Sequence, residues 1–134
     1  MILDQTDLSI VMLTDGDPVE PTLADDPRVH VVQGRTSFDQ FDALLHFAAV
    51  FVGNDSGPKH LASLRGAPVV GLHMARKNWN ERGQENGGFI ISRKVPCAGC
   101  LIWHDPEECG RDFTCIRSIT ADEVFGAVRQ LLDA

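Results

Sequence analysis

Nowhere does the chain hold a run of about 18 residues without charges or turn formers, so no segment reads as a membrane-crossing helix. No basic cluster precedes the first apolar residues, so the start, Met1-Ile2-Leu3-Asp4, is not a secretory leader. Together these absences make the cytoplasm the expected location. Internal repeats and low-complexity tracts are missing too. Basic residues are the minority, 12 against 19 acidic, for a net charge of −7. Basic and aromatic residues are not interleaved along the chain, which excludes a nucleic-acid surface such as a zinc-ribbon binder. The few basic residues are concentrated. Residues 59–94 carry 7 basic and 2 acidic side chains, whereas 1–58 carry 2 and 10, and 95–134 carry 3 and 7. A positive stretch inside an acidic protein suits a small anion, or else a solvated loop.

What is present describes an ordinary globular chain. Its 134 residues are 43% hydrophobic and 23% charged, too apolar for disorder and of a size for one domain, 1–134. Short apolar runs at 8–13, 29–32, 50–52, 68–72 and 89–92 read as strands, most of them buried. Residues 17–27, with three prolines, read as loop or one short helix. Between the strands lie helical patterns. Ser37 and Gln40 form a capping box ahead of Phe38, Phe41, Leu44, Leu45 and Ala48, and the phenylalanines there are expected in the core. Pro58 suits a first helical residue and Gly66 a stop. A C-terminal helix, 119–134, opens on the capping box Thr120 and Glu123. Strands alternating with helices predict an α/β fold with a Rossmann-like parallel sheet flanked by helices.

The richest stretch is Val50-Phe51-Val52-Gly53-Asn54-Asp55-Ser56-Gly57-Pro58-Lys59-His60. A buried strand ends, a tight turn follows, and a helix begins at once. Ligands of open parallel sheets bind at this end of the strands. Backbone N–H groups around Ser56, Gly57 and Lys59, with the helix dipole behind them, make a phosphate cradle. His60 and the Ser56 hydroxyl can donate to phosphate oxygens. Asp55 is a poor phosphate neighbour and a better acceptor for sugar hydroxyls. The plainer alternative is that Asp55 or Ser56 caps the helix and His60 is a surface residue.

The run from Asn54 through Asp55-Ser56-Gly57-Pro58-Lys59-His60-Leu61-Ala62 to Gly66-Ala67-Pro68-Val69-Val70 closely resembles the C-terminal donor-binding half of the ADP-heptose:lipopolysaccharide heptosyltransferases. These are inverting GT-B enzymes of glycosyltransferase family 9. The resemblance extends to Gly34-Arg35-Thr36-Ser37, to Asn78-Trp79 and to the cysteine-bearing tail. It implies that Asp55 contacts the donor sugar, that Ser56, Gly57 and His60 hold the diphosphate of an ADP-sugar, and that Asp17 or Glu20 meets the ribose. It also implies a glycan or protein acceptor. The acceptor site and the catalytic base belong to the N-terminal half of such enzymes, and nothing in these 134 residues matches it. The chain therefore reads as a fragment, without a catalytic residue of its own and inactive alone. Arg76, Lys77 and Arg82 could form a basic loop over the diphosphate or simply a solvated one.

Cys97-x2-Cys100-x8-Cys109-x5-Cys115 lies in a segment, 95–116, with little helical or strand pattern. Two thiol pairs on turns can converge on one tetrahedral ion, zinc or a rubredoxin-like iron, as a structural knuckle. Free thiols, disulfides or a redox pair are the other readings. Trp103 and His104 would pack such a knuckle, and His104 and His73 are the alternative ligands, although four thiols leave no vacancy in a closed site. A competing function is a non-catalytic Rossmann-like module whose metal knuckle docks a partner protein.

Overall fold

A computed structural model describes residues 1–75, 87–100 and 109–134. They form two compact units, 1–43 and 44–134. In the first, α1 (Ile2–Gln5) precedes β1 (Ile10–Thr14), α2 (Pro21–Ala24) and β2 (Val29–Gln33). β1 and β2 pair in parallel, from Ile10 opposite Val29 to Thr14 opposite Gln33. Arg28 ties the entrance of this ladder, donating from Nη1 to the Thr6 carbonyl at 3.0 Å.

Helix α3 (Phe38–Phe47) starts as its sequence predicts. The Gln40 N–H donates to Ser37 Oγ at 3.2 Å, and the Ser37 N–H to Gln40 Oε1 at 2.9 Å. Its apolar stripe is narrower than expected. Phe41 and Leu45, one turn apart, are buried, but Phe38 is 63% and Phe47 85% exposed. Placing every phenylalanine of this helix in the core is therefore wrong. Phe38 and Phe47 stand at the two ends of the helix, beyond the buried pair.

The second unit contains β3 (Phe51–Asn54), α4 (Gly57–Leu64), β4 (Val69–His73), β5 (Phe89–Ser92), α5 (Thr114–Arg117) and α6 (Ala121–Leu132). Its sheet has the order β3-β4-β5, and both pairings are parallel. Thus the α/β class with parallel strands and flanking helices holds. In the described residues the strands belong to two sheets, one of two strands and one of three.

β4 is the central strand, and Val69, Val70 and Gly71 are buried. Across it lies the core, Val70 and Ile91 against Ala127 and Val128 of α6, with Leu72, Phe89, Val124 and Leu131 around them. Gly88 enables the close β4–β5 approach: a Cβ there would sit 2.2 Å from the Val69 carbonyl oxygen. α4 ends at Gly66, whose φ of +80° is the left-handed conformation that glycine adopts without strain. The Gly66 N–H donates to the Ser63 carbonyl and the Ala67 N–H to that of Ala62, a Schellman closure that turns the chain into β4.

Candidate functional site

β3 and β4 run side by side, with Asn54 opposite Leu72. Asp55 and His73 therefore leave the ladder together at the carboxyl end of the sheet, where α4 begins. Ser56 is the N-cap of α4, in extended backbone, but its hydroxyl does not cap the helix. Instead Oγ donates back to the Asn54 carbonyl at 3.2 Å. By helix geometry the first-turn N–H groups have no intrahelical acceptor, and the dipole adds positive potential there. Gly57 lies in the open, since a Cβ on it would meet nothing within 4 Å. An anion can thus reach this backbone unobstructed.

The side chains around the turn form one polar cluster. Asp55 Oδ1 accepts from Lys59 Nζ at 3.0 Å, with His60 Nε2 and His73 Nε2 each 3.7 Å away. Lys59 points inward and is fully buried, although its neighbour His60 is half exposed. Lys59 Nζ lies 2.7 Å from His73 Nε2, and His73 is fully buried too. An ammonium has only donors, so the imidazole presents its lone pair at Nε2. Gly71 makes room for this contact: a Cβ there would stand 3.1 Å from Lys59 Cδ and 3.2 Å from His73 Nε2.

Two opposed effects act on the Asp55 carboxyl. Partial burial pushes its pKa up, while the Lys59 hydrogen bond and the positive charge of the Lys59–His73 pair and His60 pull it down. The cationic neighbours win, and Asp55 is held below the ordinary carboxylate range.

The sequence singles out Asp55, Ser56, Gly57, Lys59 and His60, but not the inward turn of the Lys59 side chain. From sequence His73 reads only as a spare metal ligand. Its signal was a polar residue ending an otherwise apolar buried strand. Asp17 and Glu20 are exposed in the first unit. Arg76, Lys77, Asn78, Trp79, Arg82, Trp103 and His104 lie outside the described residues.

The cysteines gather only in part. Cys97, Cys100, Cys109 and Cys115 form no disulfide and line one small cavity, which Met74 and Phe113 also border. The Phe113 N–H donates to Cys109 Sγ at 3.1 Å, and Asp112 and Phe113 both adopt left-handed φ near +50°. Among the described residues, however, no three His, Cys, Asp or Glu side chains are close enough together to hold a metal. The tetrahedral centre expected from the spacing is not assembled.

Comparison with known proteins settles the family. The family model for glycosyltransferase family 9 (heptosyltransferase) matches residues 20–109. The chain belongs to this family. The match runs from before β2 to Cys109, so it includes the whole β3–α4 turn and His73. No curated protein and no solved structure matches the chain. A glycosyltransferase-type function follows from the family. Among the described residues no helix is long and apolar enough to cross a membrane.

Proposed function

We propose that residues 54–60 form the donor site of a glycosyltransferase that moves a heptose-like sugar from an ADP-sugar to a glycan or protein acceptor in the cytoplasm. The observation that supports this most is the open N-terminus of α4 at the carboxyl end of a parallel sheet, with His60 and Asp55 at its rim. The diphosphate lies against the N–H groups of Gly57 and Lys59, and His60 and the Ser56 hydroxyl, rotated away from the Asn54 carbonyl it meets in the free chain, donate to its oxygens. Asp55 accepts from a hydroxyl of the donor sugar. During inverting displacement the leaving diphosphate gains negative charge, and the helix N-terminus and His60 stabilise it without moving. Residues 54–60 thus bind the donor and stabilise its leaving group, whereas the base that activates the acceptor hydroxyl belongs to the acceptor half of such enzymes.

Calorimetric titration with ADP and ADP-heptose tests the reading. His60→Ala and Ser56→Ala each weaken ADP binding by about 1–2 kcal/mol, the worth of a hydrogen bond to a charged group. Asp55→Ala leaves ADP binding nearly intact and weakens only the sugar-bearing ligand. Loss of ADP binding in Asp55→Ala, with none in His60→Ala, overturns these roles.

For the cysteines we propose one structural zinc or iron ion held by Cys97, Cys100, Cys109 and Cys115. The support is that all four thiols border one cavity, and thiolates suit such ions. Segments 97–100 and 109–115 close toward each other to bind it.

A further inference from the structure

Asp55 raises a difficulty for the donor site just proposed. A carboxylate beside the N-terminus of α4 repels the diphosphate that the same N-terminus attracts. The buried pair beneath it resolves this. The Asp55 carboxylate accepts the Lys59 Nζ hydrogen bond at Oδ1, 3.0 Å away, and the closest approach of each histidine, 3.7 Å, is to the same oxygen. Among the described residues no hydrogen bond is made to Oδ2.

From this arrangement we infer that Lys59, held inward by His73, is a positioning residue: its buried ammonium masks the charge of Asp55 toward the diphosphate and clamps Oδ1, so that Oδ2 faces the hydroxyls of the donor sugar. The inference rests on the donor-site reading. Lys59 does not touch the ligand through its side chain; it acts through Asp55. Three features support it. Lys59 is fully buried, and lysine rarely is without a specific partner. Its Nζ bridges two groups that the β3–β4 register brings side by side, the Asp55 carboxylate and the His73 lone pair. Finally, residue 71 is a glycine where any Cβ would crowd both Lys59 and His73. A lysine serving only to fill space would need neither the acceptor on β4 nor this gap.

Two properties separate masking from packing. Lys59→Met keeps the stem and removes the charge, which leaves Asp55 unmasked against the phosphates. Affinity for ADP then falls about tenfold, and the loss shrinks at high salt as screening grows. Adding Asp55→Asn to Lys59→Met removes the exposed charge and restores ADP affinity, while ADP-heptose stays weakened. A purely structural lysine predicts the reverse, that the double variant is no better than the single one. For His73, Gln keeps an acceptor oxygen for Lys59 and preserves most of the affinity, whereas Leu removes it and mimics Lys59→Met.

The experiment is calorimetric titration of the whole chain and these variants with ADP and ADP-heptose at two salt concentrations, alongside carbon-detected NMR titration of the Asp55 carboxyl. The expected result is ADP binding by the unsubstituted chain, loss in Lys59→Met and recovery in the double variant. If the unsubstituted chain binds neither ligand, the donor-site reading fails and the masking role falls with it. If it binds both and Lys59→Met binds them equally well, the donor site stands and the masking role alone is overturned. Should Lys59→Met not fold, Lys59→Gln keeps a donor for Asp55 but removes the charge and gives the same loss; unchanged ADP binding in that variant, with an unmoved Asp55 carboxyl, overturns the role.

Discussion

Arg93 and Glu123, 30 positions apart, fasten the end of β5 to the first turn of α6 through a two-pronged pairing. Arg93 Nη1 donates to Glu123 Oε1 at 2.8 Å and Nη2 to Oε2 at 2.5 Å, while Nη2 also reaches the Ser118 carbonyl at 2.9 Å. The arginine hydrogen bonds, opposed by slight desolvation and helped by the Thr120 backbone, hold the Glu123 carboxyl below its ordinary value of 4.5. A carboxyl depressed in the folded state stabilises the fold fully above its unfolded pKa and loses that contribution as pH falls through the folded one.

The unfolding midpoint of the chain therefore drops below pH 4.5 more steeply than that of Glu123→Gln, and the two curves draw together in acid. Thermal unfolding monitored by circular dichroism from about pH 2 to about pH 7, a range that spans the carboxylate pKa values, checks this. Parallel curves at all pH values would show the pairing to be idle.

Two helix starts that look alike in sequence are predicted to respond oppositely. Thr120 Oγ1 accepts from the Glu123 N–H at 3.2 Å, so Thr120→Ala lowers stability by about 1 kcal/mol. Ser56 caps nothing, so Ser56→Ala stays within about 0.5 kcal/mol of the unsubstituted chain while weakening ADP. Urea denaturation of both variants separates the two roles.

Gly88→Ala is the severest small substitution expected. The new methyl would need the Val69 carbonyl to retreat from 2.2 Å, which pushes β5 away from the central strand. Overpacking of this kind costs about 3 kcal/mol, read as a lower urea midpoint. Gly57→Ala, where the space is open, costs much less.

Protein purified without added metal should carry one zinc or iron ion per chain, with the four thiols slow to react until a chelator is added. Because thiolates bind only after losing protons, the ion also leaves as pH drops below neutrality. Elemental analysis with thiol titration decides this. A content well below one ion, with four thiols reacting freely in the native chain, rejects the site.

Much of this molecule is readable from residues alone. The five strands follow the short apolar runs, and the capping residues Ser37 and Thr120 make the hydrogen bonds their spacing predicts. Local rules suffice there, because a cap or an apolar run acts over a few positions. What local rules miss is side-chain direction. Lys59 looks like a solvent-facing helix residue, and only the β3–β4 register brings His73, 14 positions away, to receive it. The two ends of α3 failed for a similar reason. Helical spacing names a face, but it does not say how far along the helix the covering structure extends. The thiols share one cavity as their spacing suggested, yet coordination demands tighter convergence than turns alone impose.

Every strand pair described here is parallel, and this has a kinetic consequence. Parallel neighbours cannot form by a hairpin. Each ladder waits for an intervening crossover to close, so loop entropy is lost before any pairing compensates for it. Refolding should accordingly be slow for a chain of this length, with β4 idle until both neighbours arrive. During that interval the apolar run 69–72 lies uncovered, and crowding nascent chains at that stage favours their association over the native register.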